Sequence, residues 1–142
     1  MLFRSIIQAL KALNGRSNAE SCELNNITQK RTVNVFEVKR VTGKGGEGHE
    51  AYSWANTGRL KSPPPRGIKI YKGSSFIAGT REFCKFALHE EIAKVFLQWL
   101  NDTMFVDESF FPSLYRHPDA PGGILGKQIG RASCRERVYV LV

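Results

Sequence analysis

Cysteine is scarce in this chain: three residues in 142, at Cys22, Cys84 and Cys134. No two have CxxC spacing, and the histidines (His49, His89, His117) are scattered, so a zinc site is not expected. No apolar run reaches the ~18 residues a membrane-spanning helix needs. The N-terminal MLFRSIIQALKAL is not a signal peptide. Its apolar residues recur at helical spacing and no small-residue cleavage site follows. Long basic runs are also missing, although the formal charge is +8. Residues 127–142 carry Lys127, Arg131, Arg135 and Arg137 against Glu136, which is +3 of that +8. With no aromatic-flanked basic motif, the remaining charge reads as a solvated surface, and no nucleic-acid partner is expected.

What is present suits one domain with a modest core. Residues 2–13 place Phe3, Ile6, Ile7, Leu10 and Leu13 on one helical face, and Asn14-Gly15 stops the helix. Residues 16–30 are polar and read as irregular. Residues 32–40 alternate and are rich in β-branched side chains, which predicts a strand. Residues 42–66 hold five glycines and Pro63-Pro64-Pro65, which predicts a long exposed loop. Gly43 to Gly48 lacks the Gly-Lys-Ser/Thr ending of a phosphate loop.

From Gly67 the texture changes. Ile68, Ile70, Phe76 and Ile77 bracket a pair of short strands or a strand and turn. Thr80 can cap a helix facing inward with Phe83, Phe86 and Ala87. A second helix carries Ile92, Val95, Phe96, Trp99 and Leu100. After a loop at 102–106, Asp107 can cap a third over Phe110, Phe111 and Leu114, with Pro112 in its first turns. Residues 127–142 fit no such pattern. Gln128 to Val138 reads as translated adaptor or vector sequence, so 1–126 is taken as the domain. That leaves Cys22 and Cys84, whose pairing, with each other or with cysteines elsewhere, the sequence does not decide.

Asp107-Glu108 is the most suggestive chemical feature. Two acids at a helix start complement the macrodipole in the bland reading. In the sharp one, a carboxylate sits at a pocket rim as a general base.

Four motifs in order weigh on that choice. They are Gly73-Ser74-Ser75-Phe76 with Thr80-Arg81-Glu82-Phe83, Trp99-Leu100-Asn101-Asp102-Thr103, Val106-Asp107-Glu108-Ser109-Phe110-Phe111, and Pro118-Asp119-Ala120-Pro121-Gly122. Together they resemble the core-2 and I-branching β-1,6-N-acetylglucosaminyltransferases, relatives of the protein xylosyltransferases. The match is clear over Lys69 to Gly123 and weaker back to the first helix.

The resemblance implies an α/β chain, an incomplete piece of a GT-A-type glycosyltransferase fold. It implies Glu108 as catalytic base of an inverting, metal-independent transfer, with no cofactor and UDP-N-acetylglucosamine as donor. The acceptor would be the 6-hydroxyl of galactose or N-acetylgalactosamine in a glycan. A rough alignment places Glu20 and Arg31 at the acceptor, with Thr28 where the family has a lysine. Phe110-Phe111 replaces an aromatic-Trp pair. The full enzyme would be a Golgi type II membrane protein, lumenal, anchored through a segment outside this chain. Donor-site residues would also lie outside, so the chain alone is expected to be inactive.

Asn26 and Asn101 begin glycosylation sequons. Lys69 and Lys72 read as surface lysines and Arg81 as a member of a structural ion pair. The alternatives are a xylosyltransferase using UDP-xylose and a non-catalytic basic binding module.

Overall fold

The computed structural model describes residues 7–8, 11–14, 17, 19–41 and 51–123. The expected helix over 2–13 lies partly outside them; Ile7, Gln8, Lys11 and Ala12 are helical, and Asn14 turns the chain with φ +47°. Residues 42–50, the 127–142 tail and Cys134 lie outside the described residues.

The described elements mix helices and strands, as an α/β reading requires. In chain order they are β1 (Cys22–Glu23), α1 (Asn26–Val33), β2 (Asn34–Val41), β3 (Ala51–Leu60), a 3-10 turn (Pro65–Gly67), β4 (Tyr71–Lys72), α2 (Arg81–His89), α3 (Glu91–Trp99) and α4 (Asp107–Tyr115). Among the described residues β1 pairs with β4 and β2 with β3, both antiparallel.

Two segments depart from expectation. Residues 16–30 are not irregular throughout, because they hold β1 and most of α1. A capping box starts α1: the Asn25 side chain accepts from the Ile27 and Thr28 amides, and Thr28 Oγ1 accepts from the Asn25 amide. The helix buries only Thr28 and Thr32, so it carries no apolar stripe to signal it. The predicted strand therefore begins at Asn34.

The second departure is β3, expected to be loop. Tyr52, Trp54 and Thr57 favour a pleated backbone, and residues 51–56 pair with β2 in register. A bulge interrupts the ladder between Asn34 and Phe36. Gly58 takes φ +75° there, and its amide donates to Asn56 Oδ1 at 2.8 Å. Gly58 thus marks a bulge, not a loop.

The core gathers where α2, α3 and α4 meet. Phe83, Phe96, Leu100 and Leu114 are fully buried, and Phe96 stacks on Phe110 at 5.9 Å between centroids. Thr80 caps α2 as predicted, its Oγ1 accepting from the Phe83 amide at 3.1 Å. Asp107 does not cap α4. It is the first helical residue, and Val106 at the cap makes no side-chain bond. Arg81 is exposed and pairs with no acid among the described residues. Cys84 is a free, exposed thiol, so the Cys22–Cys84 bridge is not formed. No described helix is long and apolar enough to cross a membrane.

Lys61 leads out of β3 into this core. Its side chain is 4% exposed and pairs with Asp102, and its ammonium donates to Trp99 O at 2.9 Å and Thr103 Oγ1 at 2.5 Å. It also lies 4.7 Å from the Trp99 ring centroid. The hairpin is bound to the helical layer here, helped by the Phe36 amide donating to Asp102 O at 2.9 Å.

Pro112 lies in the first turns of α4, as its sixth residue, and so past the positions where a missing N–H costs nothing. Without an N–H it cannot bond the carbonyl four residues back, that of Glu108. The Gly73 amide donates to that carbonyl instead, at 2.9 Å. One residue-pair away, the Tyr71 amide donates to Ser113 Oγ at 2.9 Å. β4 is thereby bonded to α4 on both sides of Lys72. Gly73 has no room for a side chain: a Cβ would lie 1.9 Å from Glu20 O and 2.9 Å from Pro112 Cγ.

Two stability predictions follow from these contacts, both read by urea unfolding of the full-length protein. Gly73→Ala forces the Glu20 backbone away and costs about 3 kcal/mol. Asp102→Ala costs about 2–3 kcal/mol and more than Lys61→Met, because it leaves a buried ammonium without its counter-charge. Equal costs for the last two would contradict a buried charge at Lys61.

Candidate active site

The acids expected to carry chemistry stand in the first turn of α4. Asp107 is exposed, whereas the Glu108 side chain is 35% exposed and lines an open cleft of about 220 Å³. The cleft lies between α1 and α4. Thr28, Arg31 and Thr32 line it from α1, Lys72 from β4, Phe105 from the loop before α4, and Glu108 and Ser109 from α4.

Arg31 thus shares a cleft with Glu108, although 77 positions separate them in sequence. The helix that the sequence did not reveal is what brings it there. Thr28 also lines the cleft, but its hydroxyl is engaged in the capping box of α1. Glu20 is exposed and does not line the cleft. It approaches the site only through its backbone carbonyl, packed on Gly73.

Lys72 is not the free surface lysine it was taken for. Its Nζ lies 3.1 Å from Glu108 Oε2, and both side chains are about one-third exposed. Lys69 does stand at the surface, 2.9 Å from Glu23 Oε1. The hydrogen bond from the Lys69 ammonium holds the Glu23 carboxyl below its ordinary value.

Phe105 is the residue that sequence reasoning missed. Its φ is +57°, a left-handed conformation that is unusual for a bulky side chain. Its ring lies 5.8 Å from the Arg31 guanidinium, over which the cation is placed to interact with the aromatic face. Nothing in a phenylalanine between Met104 and Val106 announces that backbone. Phe110, expected beneath the helix, is buried in the core, and Phe111 packs edge-on against it at 5.1 Å. The sequon asparagines Asn26 and Asn101 are both exposed.

Chemically, the cleft offers one carboxylate as a proton acceptor and two cations as hydrogen-bond donors. It is an open surface, not an enclosed pocket.

The comparisons with known proteins bear on the same residues. The family model for the core-2/I-branching enzyme matches residues 4–133. A zebrafish (Danio rerio) beta-1,3-galactosyl-O-glycosyl-glycoprotein beta-1,6-N-acetylglucosaminyltransferase 4 is 30% identical over 118 residues, 82% of this chain and 26% of the relative. The human N-acetyllactosaminide beta-1,6-N-acetylglucosaminyl-transferase is 41% identical over 68 residues, 48% of this chain and 17% of the relative. The human beta-1,3-galactosyl-O-glycosyl-glycoprotein beta-1,6-N-acetylglucosaminyltransferase is 29% identical over 119 residues, 84% of this chain and 25% of the relative. The chain therefore spans about a quarter or less of these curated relatives. With the family model matched along most of its length, the chain belongs to the core-2/I-branching enzyme family of glycosyltransferases.

Proposed function

We propose that this chain forms the acceptor-side wall and carries the general base of an inverting transferase. The enzyme moves N-acetylglucosamine from UDP-N-acetylglucosamine to the 6-hydroxyl of galactose or N-acetylgalactosamine in a glycan. One observation carries the reading: Glu108 is a partly buried carboxylate on a cleft that also presents the guanidinium N–H donors of Arg31. Family membership and the names of the relatives support the donor and the linkage.

Glu108 accepts the proton of the acceptor 6-hydroxyl as that oxygen attacks the anomeric carbon of the donor. The new C–O bond forms while the bond from the anomeric carbon to the diphosphate breaks, and UDP leaves with the electron pair. Attack opposite the leaving group inverts the anomeric centre. A carboxylate is ionised near neutrality and accepts the proton when held within hydrogen-bond reach. Holding the acceptor against the α1 and α4 walls supplies the orientation. Arg31 donates to acceptor hydroxyls in this scheme. We read the reaction as metal-independent and cofactor-free on the family resemblance. On the same ground we read the complete protein as GT-A in fold, a type II membrane enzyme facing the Golgi lumen.

Glu108→Gln keeps the side-chain volume and removes the base. In the full-length enzyme it is expected to lower kcat by about 10²- to 10⁴-fold while donor affinity stays within a factor of two or so. Steady-state kinetics with a galactosyl acceptor, together with calorimetric UDP binding, check this. Equal losses of kcat and UDP affinity would make Glu108 a structural residue.

A further inference from the structure

The base does not stand alone in its cleft. Lys72 Nζ lies 3.1 Å from Glu108 Oε2, and among the described residues its ammonium has no other partner. An ammonium carries three N–H donors, so the contact with Glu108 leaves two. The backbone around Lys72 is held more firmly than a surface lysine requires. The Tyr71 amide is bonded to Ser113 Oγ and the Gly73 amide to Glu108 O, both at 2.9 Å. Lys72 is the residue between these two anchors, so the same helix that carries the base sets the position of the ammonium. Exposed ion pairs contribute little to stability, and this one is reached from a strand of two residues. Its placement matches an acceptor with two adjacent hydroxyls better than it matches a fold clamp.

Galactose-configured sugars present such a pair. Their axial 4-hydroxyl projects toward the side on which the exocyclic 6-hydroxyl lies, and the two oxygens come within hydrogen-bonding reach of one another. A carboxylate beside an ammonium can take both: the carboxylate accepts from one and the ammonium donates to the other. An equatorial 4-hydroxyl projects along the ring edge instead, so with the 6-hydroxyl on the carboxylate it is not aimed at the ammonium.

Building on the transferase reading above, we propose that Lys72 determines acceptor specificity. Its ammonium donates to the axial 4-hydroxyl of the acceptor while Glu108 takes the proton of the 6-hydroxyl. Lys72 performs no proton transfer. It selects the galactose configuration and aligns the 6-hydroxyl on the base.

Lys72→Met, which keeps the aliphatic stem, and Lys72→Arg are compared with wild type in the full-length enzyme. The acceptors are a β-galactoside and its 4-deoxy analogue. Wild type is expected to favour the galactoside in kcat/KM by about 10- to 100-fold, the scale of one charge-assisted hydrogen bond. Lys72→Met is expected to lose that preference, dropping about 10- to 100-fold further on the galactoside than on the 4-deoxy acceptor. Lys72→Arg is expected to recover part of it. An equal loss on both acceptors would show that Lys72 only positions Glu108 and would overturn the proposal, as would no loss on either. Wild type transferring to neither acceptor would contradict the transferase reading itself.

Discussion

A proline without an N–H governs the geometry of this site. Pro112 leaves the Glu108 carbonyl without its helical donor, and the Gly73 amide takes the vacancy at 2.9 Å. A helix interior normally loses stability at proline. Here the lost bond becomes a tertiary one, tying β4 to the turn of α4 that bears the acid. Gly73 is required for the approach, since any side chain would meet the Glu20 backbone. Ser113 repeats the device on the other side, its hydroxyl bonding both Ser109 O and the Tyr71 amide. The Gly-Ser-Ser-Phe and Asp-Glu segments, recognised separately as family signatures, are thus two halves of one contact.

The cleft follows from that contact. α4 supplies the carboxylate, β4 supplies Lys72, and α1 faces them with Arg31. The segment before β1 is held to the same helix: Tyr115 donates to Ser17 O, and Arg116 donates to Ser21 Oγ and Ser21 O, both at 2.7 Å. The β2–β3 hairpin is bound separately, through Lys61 and its partners at the end of α3. Burial of the aromatic side chains between α2, α3 and α4 fixes the platform on which all of this rests. The described residues thus form one open wall that bears a carboxylate and two cations.

Where apolar periodicity was strong, the sequence was legible. The inward faces of α2 and α3, with Phe83, Phe86, Ile92 and Phe96, were read correctly because burial drives those patterns. The helix α1 was not, because its buried residues are two threonines and its start depends on a capping box of Asn25 and Thr28. β3 was hidden because the glycine it contains, Gly58, read as loop while it sits at a bulge. At the site, Glu108 could be named from its motif, and Arg31 from a weak alignment. Lys72 and Phe105 could not. One depends on a hydrogen bond displaced by a proline, the other on a left-handed backbone that a phenylalanine does not advertise. Both are products of tertiary packing that no local pattern encodes.

The most direct measurement is a crystal structure of the full-length enzyme with UDP and a galactosyl acceptor bound. The acceptor 6-oxygen is expected about 3 Å from a Glu108 carboxylate oxygen, with the sugar resting between α1 and α4. An acceptor seated away from this cleft, with Glu108 contacting only protein, would contradict the account.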